Sequence, residues 1–194
     1  MKFVSKIAAV AVAAIGILGA SVMPTFANDS AVDQNGPCNV AIVTQSGGNW
    51  SLVSQENTGN CGKGSFAEVD QWGYNAQGTL QRGKRNGAFT QQWGFGNGAL
   101  TVQDGNRNSS AVGQYGNVNL GGAVQLGKEN HSEVWQVGNG NAGGALQMGD
   151  NNSSSVVQLG NNNLGIAVQG GNGNSSDIDQ NGGGNVAVVS QQSW

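Results

Sequence analysis

Ionisable side chains are scarce in this chain of 194 residues, of which only 10% are charged and a single one, His131, is histidine. A lone histidine cannot build a triad or a histidine-rich metal site, and no cysteine lies near it in sequence. Its neighbours Glu129 and Glu133 make a solvated surface residue the plain reading. Prolines number two and aromatic residues make up 6%. After the apolar run Ile7 to Leu18 no second such run follows, which argues against a membrane span. Basic clusters are missing too. With Lys2 and Lys6 set aside, six basic residues face eleven acidic ones, a net charge of about five negative that excludes nucleic acid as a natural partner. Gly-x-Gly strings such as Gly138-Asn139-Gly140 lack the strand-to-helix setting of a phosphate loop. No cofactor is implied, and nothing points to an enzyme.

The first residues have the form of a secretory leader: Lys2 and Lys6, the short apolar run, then Thr25-Phe26-Ala27 before polar sequence starts at Asn28. A cut after Ala27 is expected. The division is therefore a signal peptide over 1–27 and one repeat domain over 28–194, secreted, with no membrane insertion.

Thirty-four glycines and few charges fit either a disordered chain or a repetitive β architecture, and periodicity decides between them. Gln81, Gln92, Gln103, Gln114, Gln125, Gln136, Gln147, Gln158, Gln169, Gln180 and Gln191 recur at intervals of eleven. Gln34, Gln45, Gln55 and Gln71 extend the series with slips to ten and sixteen, making fifteen units. An asparagine stands six positions before each glutamine, with Ser65 the single substitute, and from Gln81 onward a glycine follows each by two positions up to Gly182. Each unit is thus a strand of about seven residues and a turn of about four.

Side chains in a strand alternate faces, so Asn, a small residue, an aliphatic residue and Gln share the inner side. From Ser110 the small position alternates between Ser and Gly, and the aliphatic one between Val or Ile and Ala. The true period is therefore 22 residues. The predicted fold is all-β: a two-sheet, cross-β solenoid of about fifteen strand-turn units, 22 residues per coil. Buried amides are costly alone, yet a column of identical amides bonds along its own axis. The expected ladder comprises Asn108, Gln114, Asn119, Gln125, Asn130, Gln136, Asn141, Gln147, Asn152, Gln158, Asn163, Gln169, Asn174, Gln180, Asn185 and Gln191. Neither the first nor the last strand carries a capping helix, so both ends are candidate pairing sites.

The stretch Gln114-Tyr115-Gly116-Asn117-Val118-Asn119-Leu120-Gly121-Gly122-Ala123-Val124-Gln125 resembles the curlin repeat of bacterial curli. The resemblance implies an amyloid fibre subunit that polymerises with copies of itself at the cell surface, as pilus-like biofilm matrix and for adhesion. It also implies two partners, a nucleator subunit and an outer-membrane secretion pore. In the family's major subunits an unpatterned Gly- and Asn-rich segment precedes the repeats, whereas here Asn28 begins one directly after the expected cut. Two alternatives stand beside this reading. One is a soluble, monomeric β-solenoid that binds a glycan or a surface, and the other is the minor nucleator in place of the major subunit.

Outward positions differ between the sheets: Leu100, Leu120, Leu146, Ile166 and Val188 mark one as apolar, a candidate for lateral bundling. Trp50, Trp72, Trp93, Trp135 and Trp194 fall at outward or turn positions, where packing along the rim is the first expectation. Lys84, Arg85, Arg107 and Lys128 fall in turns. Cys38 lies in the turn after the first strand and Cys61 in the nine-residue insertion before the fourth. Alternate turns share an edge, so a disulfide between Cys38 and Cys61 in neighbouring rungs is expected.

Overall fold

A computed structural model describes residues 28–57 and 63–193. The expected leader over 1–27, Cys61 and Trp194 lie outside the described residues. Among these the chain is entirely strand and turn, wound as a β-solenoid of about 7 turns with partners about 22 residues apart. The strands are β1 (Asp29–Asn35), β2 (Val40–Gly47), β3 (Trp50–Glu56), β4 (Phe66–Lys84), β5 (Gly87–Asn106), β6 (Ser109–Tyr115) and β7 (Leu120–Lys128). They continue as β8 (His131–Val137), β9 (Ala142–Met148), β10 (Ser153–Asn161), β11 (Leu164–Gly170), β12 (Ser175–Gly183) and β13 (Val186–Gln192).

Thirteen strands carry fifteen repeat units, because β4 and β5 each run through a bend and supply two. The β4–β5 register shifts between Tyr74 and Ala76, where the chain rounds the edge through glycines of positive φ, Gly73 (107°) in β4 and Gly94 (124°) and Gly96 (69°) in β5. One side of the solenoid stacks β2, the first half of β4, the first half of β5, β6, β8, β10 and β12. The other stacks β1, β3, the second halves of β4 and β5, β7, β9, β11 and β13. All pairings are parallel and in register, Ser110 on Ser132 and Gln114 on Gln136, Gly121 on Gly143 and Gln125 on Gln147.

The slips in the eleven-residue rhythm leave this register intact. Gln34 sits beside Gln55, 21 positions on, and Gln45 beside Gln71, 26 positions on. Inserted residues are absorbed by turns because a strand shifted by one residue would turn its whole inner face outward.

Small aliphatic groups, chiefly Val112, Val134, Val156, Ala167 and Ile178, fill the middle of the interior. Its bulk is amide, however: the largest fully buried side chains are all glutamines, from Gln55 to Gln169. Dry apolar packing therefore supplies a thin central layer, and the wider flanks depend on hydrogen bonding.

Turns close with a fixed dihedral pattern. From Gln81 to Gln180 the glycine two places after each glutamine of the repeat takes a positive φ, as at Gly116 (123°), and the residue two further on is left-handed, as at Val118 (58°). A Cβ on Gly116 would stand 2.0 Å from the Gly138 carbonyl oxygen one rung on. Glycine recurs at this position because the stacked backbones leave no room for a side chain.

Candidate functional site

Two glutamine columns run the length of the stack. On one side each Nε2 donates to the Oε1 of the next rung from Gln34 through Gln55, Gln81, Gln103, Gln125, Gln147 and Gln169 to Gln191, at 2.7 to 3.0 Å. The other begins at Gln45 and passes through Gln71, Gln92, Gln114, Gln136 and Gln158 to Gln180, at 2.6 to 2.8 Å. The second N–H of each interior amide reaches a backbone carbonyl across the core, as from Gln125 to Ser109 at 2.8 Å and from Gln136 to Leu120 at 3.0 Å. Both donors are used. That satisfies groups whose burial unpaired would cost roughly 1 to 3 kcal/mol each.

The asparagine columns bond in the opposite sense. The backbone N–H and Nδ2 of Asn141 both donate to Asn119 Oδ1, at 3.0 and 3.2 Å, and Nδ2 also donates to the Gly160 carbonyl at 2.8 Å. The same pattern holds for Asn130 on Asn108, Asn152 on Asn130 and Asn163 on Asn141, while Asn174 bonds to Asn152 in the same way but turns its Nδ2 to the Gly170 carbonyl of its own turn at 2.9 Å. Asn185 closes the series with its backbone N–H on Asn163 Oδ1 at 3.0 Å. All sixteen expected ladder residues stand in these four columns. Asparagine bridges a turn glycine to the strand, whereas glutamine reaches the opposite strand, so the two amides are not interchangeable.

Three features escaped the periodic reading. Gln77 occupies a small-residue position inside β4, fully buried, donating to Ser51 Oγ at 2.6 Å and accepting from Thr79 Oγ1 at 3.0 Å. The signal was its inward parity, two places after Asn75. A further ladder lies in the turns: Asn117 N–H donates to Asn139 Oδ1 and Asn139 N–H to Asn161 Oδ1, while on the other edge Lys128 N–H donates to Asp150 Oδ1. These residues share the third place after a glutamine, so what reads as turn punctuation is a set of stacked caps. Finally, the inner hydroxyls of Ser65, Thr101, Ser110 and Ser132 have no hydrogen-bond partner, although Ser176 Oγ donates to Ser154 Oγ at 3.3 Å.

No protein-family model, curated protein or solved structure matches this chain. The site must be read from its own geometry.

Outside the β4, β5, β6 and β8 strands, aromatic rings form a stepped stack. Centroids are 5.6 Å apart for Trp72 and Trp93, 6.0 Å for Trp93 and Tyr115, and 6.3 Å for Tyr115 and Trp135. Trp135 rests over Gly113, where a Cβ would come within 2.2 Å of the ring. Trp72 Nε1 donates to Asp70 at 2.9 Å and the Tyr115 hydroxyl donates to Gln91 Oε1. Burial, and after it the negative charge of Asp70, pushes the Tyr115 phenol above its usual range. With neighbouring rungs holding the rings against one another, the stack reads as rim packing. Trp50 begins β3, half-buried.

The apolar side of the β5, β7, β9 and β11 strands is dented where Gly122 and Gly144 lack side chains, leaving a depression of about 330 Å³ walled by Leu100, Leu120, Leu146 and Ile166. His131 Nε2 stands 3.2 Å from Glu133 Oε1, exposed. Arg107 pairs with Glu129 across one rung at 2.6 Å, and no metal-binding cluster occurs among the described residues. Cys38 has a positive φ of 62° and is disulfide-bonded.

Among the described residues each stack ends open. At the first end β1 pairs only with β3 and β2 only with β4; at the other β12 pairs only with β10 and β13 only with β11. The columns reach these edges with complementary groups. Gln34 and Gln45 present unengaged Oε1 acceptors, whereas Gln180 and Gln191 have no glutamine beyond them to receive their Nε2 donors. The asparagines reverse the arrangement, with acceptors at Asn174 and Asn185 and backbone donors at Asn28 and Asn39.

Proposed function

We propose that this chain is a secreted structural subunit that joins end to end with copies of itself into cross-β fibres of the curli kind, serving as extracellular matrix and for surface adhesion. The observation that carries the reading is that, among the described residues, amide columns run uncapped to both ends of the stack, with donors at one matching acceptors at the other. An unpaired strand edge is a template for another chain, and a stacked amide column rewards an added copy with the same bonds it makes internally. A nucleator would supply the first such edge, and an outer-membrane pore the route to it. The role is structural rather than catalytic. On this reading the dented apolar side provides lateral contact between fibres.

The test is incubation of the purified mature chain with thioflavin T, followed by fibre diffraction. Fibres with a meridional reflection near 4.7 Å and a lag shortened by preformed seed are expected. A chain that stays monomeric at high concentration with and without seed refutes self-assembly and leaves the soluble binding solenoid as the better reading.

A further inference from the structure

We infer that successive subunits in the fibre are related by a half-turn about its long axis, so that β1 of each added copy lies on β12 of the last and β2 lies on β13. The inference rests on the end-to-end reading above and adds the geometry of the joint.

The first argument is parity. The described strands supply fifteen units in a two-sheet coil, an odd number, and the first and last of them, β1 and β13, both lie in the stack that holds β7, β9 and β11. The coil alternates sides, so the unit following β13 belongs on the opposite side, above β12. A copy added without rotation would place its β1 on β13 and leave one strand position empty over β12. The half-turn fills every position. A joint between two like ends is disfavoured because it would set the glutamine acceptors of one copy against those of the other at the first end, or donors against donors at the last.

The second argument is the inner sequence, which is independent of strand count. In the first rungs the β1 side carries Ser30 and Val32, then Ser51 and Val53, while the β2 side carries Ala41 and Val43, then Ala67 and Val69. In the last rungs the sides are exchanged: β12 carries Ser176 and Ile178, and β13 carries Ala187 and Val189. With the half-turn Ser30 lies on Ser176, Val32 on Ile178, Gln34 on Gln180, Ala41 on Ala187, Val43 on Val189 and Gln45 on Gln191. Each inner position then meets its own residue type or, for Val32 on Ile178, its close likeness, as the serine and valine columns do from Ser110 and Val112 on β6 to Ser176 and Ile178 on β12. Without rotation serine meets alanine on one side, a pairing the stack makes once, at Ala88 on Ser110, and on the other side Ala41 faces Ser176 only across the empty position.

Outer faces agree on one side of the joint. Val40 and Ile42 on β2 and Val186 and Val188 on β13 are large apolar residues exposed at the two ends, and the half-turn places them against each other. The unrotated copy would instead bring Asp29 to Val186 and face Ile42 towards Asp177. One pair in the rotated joint is unfavourable, Asp33 beside Asp179. Both carboxylates are exposed, so solvent and salt screen them.

The experiment uses fibres of the full mature chain, with its own cysteines retained, grown from equal mixtures of single variants and then oxidised. Thr44 and Ser190 are outward, exposed, and adjacent across the half-turn joint, where parallel strands bring Cα atoms to about 4.8 Å, within disulfide range. Mixing T44C with S190C is expected to give a cross-linked dimer, located by non-reducing peptide mapping, whereas D33C with S190C, the pair of the unrotated joint, should give none. The pair V40C and V186C repeats the measurement on the same strands. Independently, gold attached at position 190 should alternate between the two sides of the fibre, with a repeat of two subunits, about 72 Å at a rung spacing of about 4.8 Å. Fibres that cross-link D33C to S190C, or that carry gold on one side only, overturn the half-turn while leaving self-assembly intact. Failure of the unsubstituted chain to form any fibre removes the end-to-end reading and this inference together.

Discussion

Replacing Gln125 by leucine tests the amide columns at their middle. Gln125 is fully buried, accepts from Gln103 at 2.8 Å, and donates to Gln147 at 2.9 Å and to the Ser109 carbonyl at 2.8 Å. Leucine has nearly the same volume but no polar atom, so the change orphans one N–H of Gln103, the Oε1 of Gln147 and a lone pair of Ser109. Gln103 keeps its second bond to Gly87 at 2.9 Å, which limits its loss to one donor. At roughly 1 to 3 kcal/mol for each buried orphan, counting the two side-chain groups in full and the carbonyl lightly, the loss is about 2 to 6 kcal/mol. The greater apolar character of leucine returns about 1 to 2 kcal/mol. Taking the middle of each range, a net destabilisation of about 2.5 kcal/mol is therefore expected, read as a lower urea midpoint for the freshly desalted chain before fibres form, at unchanged slope. Gln191→Leu is the internal control, because Gln191 only accepts from Gln169 and sits at an open edge. It should cost the isolated chain less than Gln125→Leu while slowing seeded elongation more. Equal urea midpoints for Gln125→Leu and the parent would refute the claim that these columns hold the fold.

Gly116→Ala should cost about 3 kcal/mol or more, since the φ of 123° is strained for any L residue and the new Cβ would meet the Gly138 carbonyl at 2.0 Å; Gly87→Ala, with nothing within 4 Å of its Cβ, should cost far less, and paired thermal melts separate the two. Val118 is a β-branched residue held left-handed at φ 58°, so Val118→Gly or Val118→Asn should raise stability by about 1 kcal/mol, seen as a higher urea midpoint. Ser132→Ala removes a buried hydroxyl that has no partner and is expected to be neutral or stabilising; a loss above about 1 kcal/mol would mean the hydroxyl is bonded after all. Gly113→Ala should displace Trp135 from its seat and change the tryptophan fluorescence with little effect on the far-ultraviolet spectrum, whereas an unchanged emission would place the ring elsewhere.

Which residues face inward, the 22-residue coil, the fifteen units and the sixteen amides of the ladder were legible in the sequence. A repeat in which each strand stacks on its own likeness leaves the register one solution that keeps both glutamine columns unbroken. The alternation of Ser with Gly and Val with Ala along the chain already encoded two unlike sheets. Even the slips between Gln45 and Gln71 did no harm, because turns take up extra residues at small cost while strands cannot. Tertiary structure alone decided the rest. That glutamines donate towards the last strand and asparagines towards the first follows from where the neighbouring rung places a carbonyl, which no spacing reveals. The inward parity of Gln77 was legible, but its partner was not until Ser51 lay beneath it. The turn ladder through Asn117, Asn139 and Asn161 depends on left-handed residues that aim each side chain at the adjacent rung, and Val118 shows that the fold imposes this dihedral on a residue that resists it. Likewise, the exchange of Ser-Val and Ala-Val faces between the two ends is written in the chain, but it acquires meaning only when the ends are seen as surfaces. Periodicity determines which face a side chain occupies; the direction of a hydrogen bond, and what an edge can accept, are properties of stacked backbones.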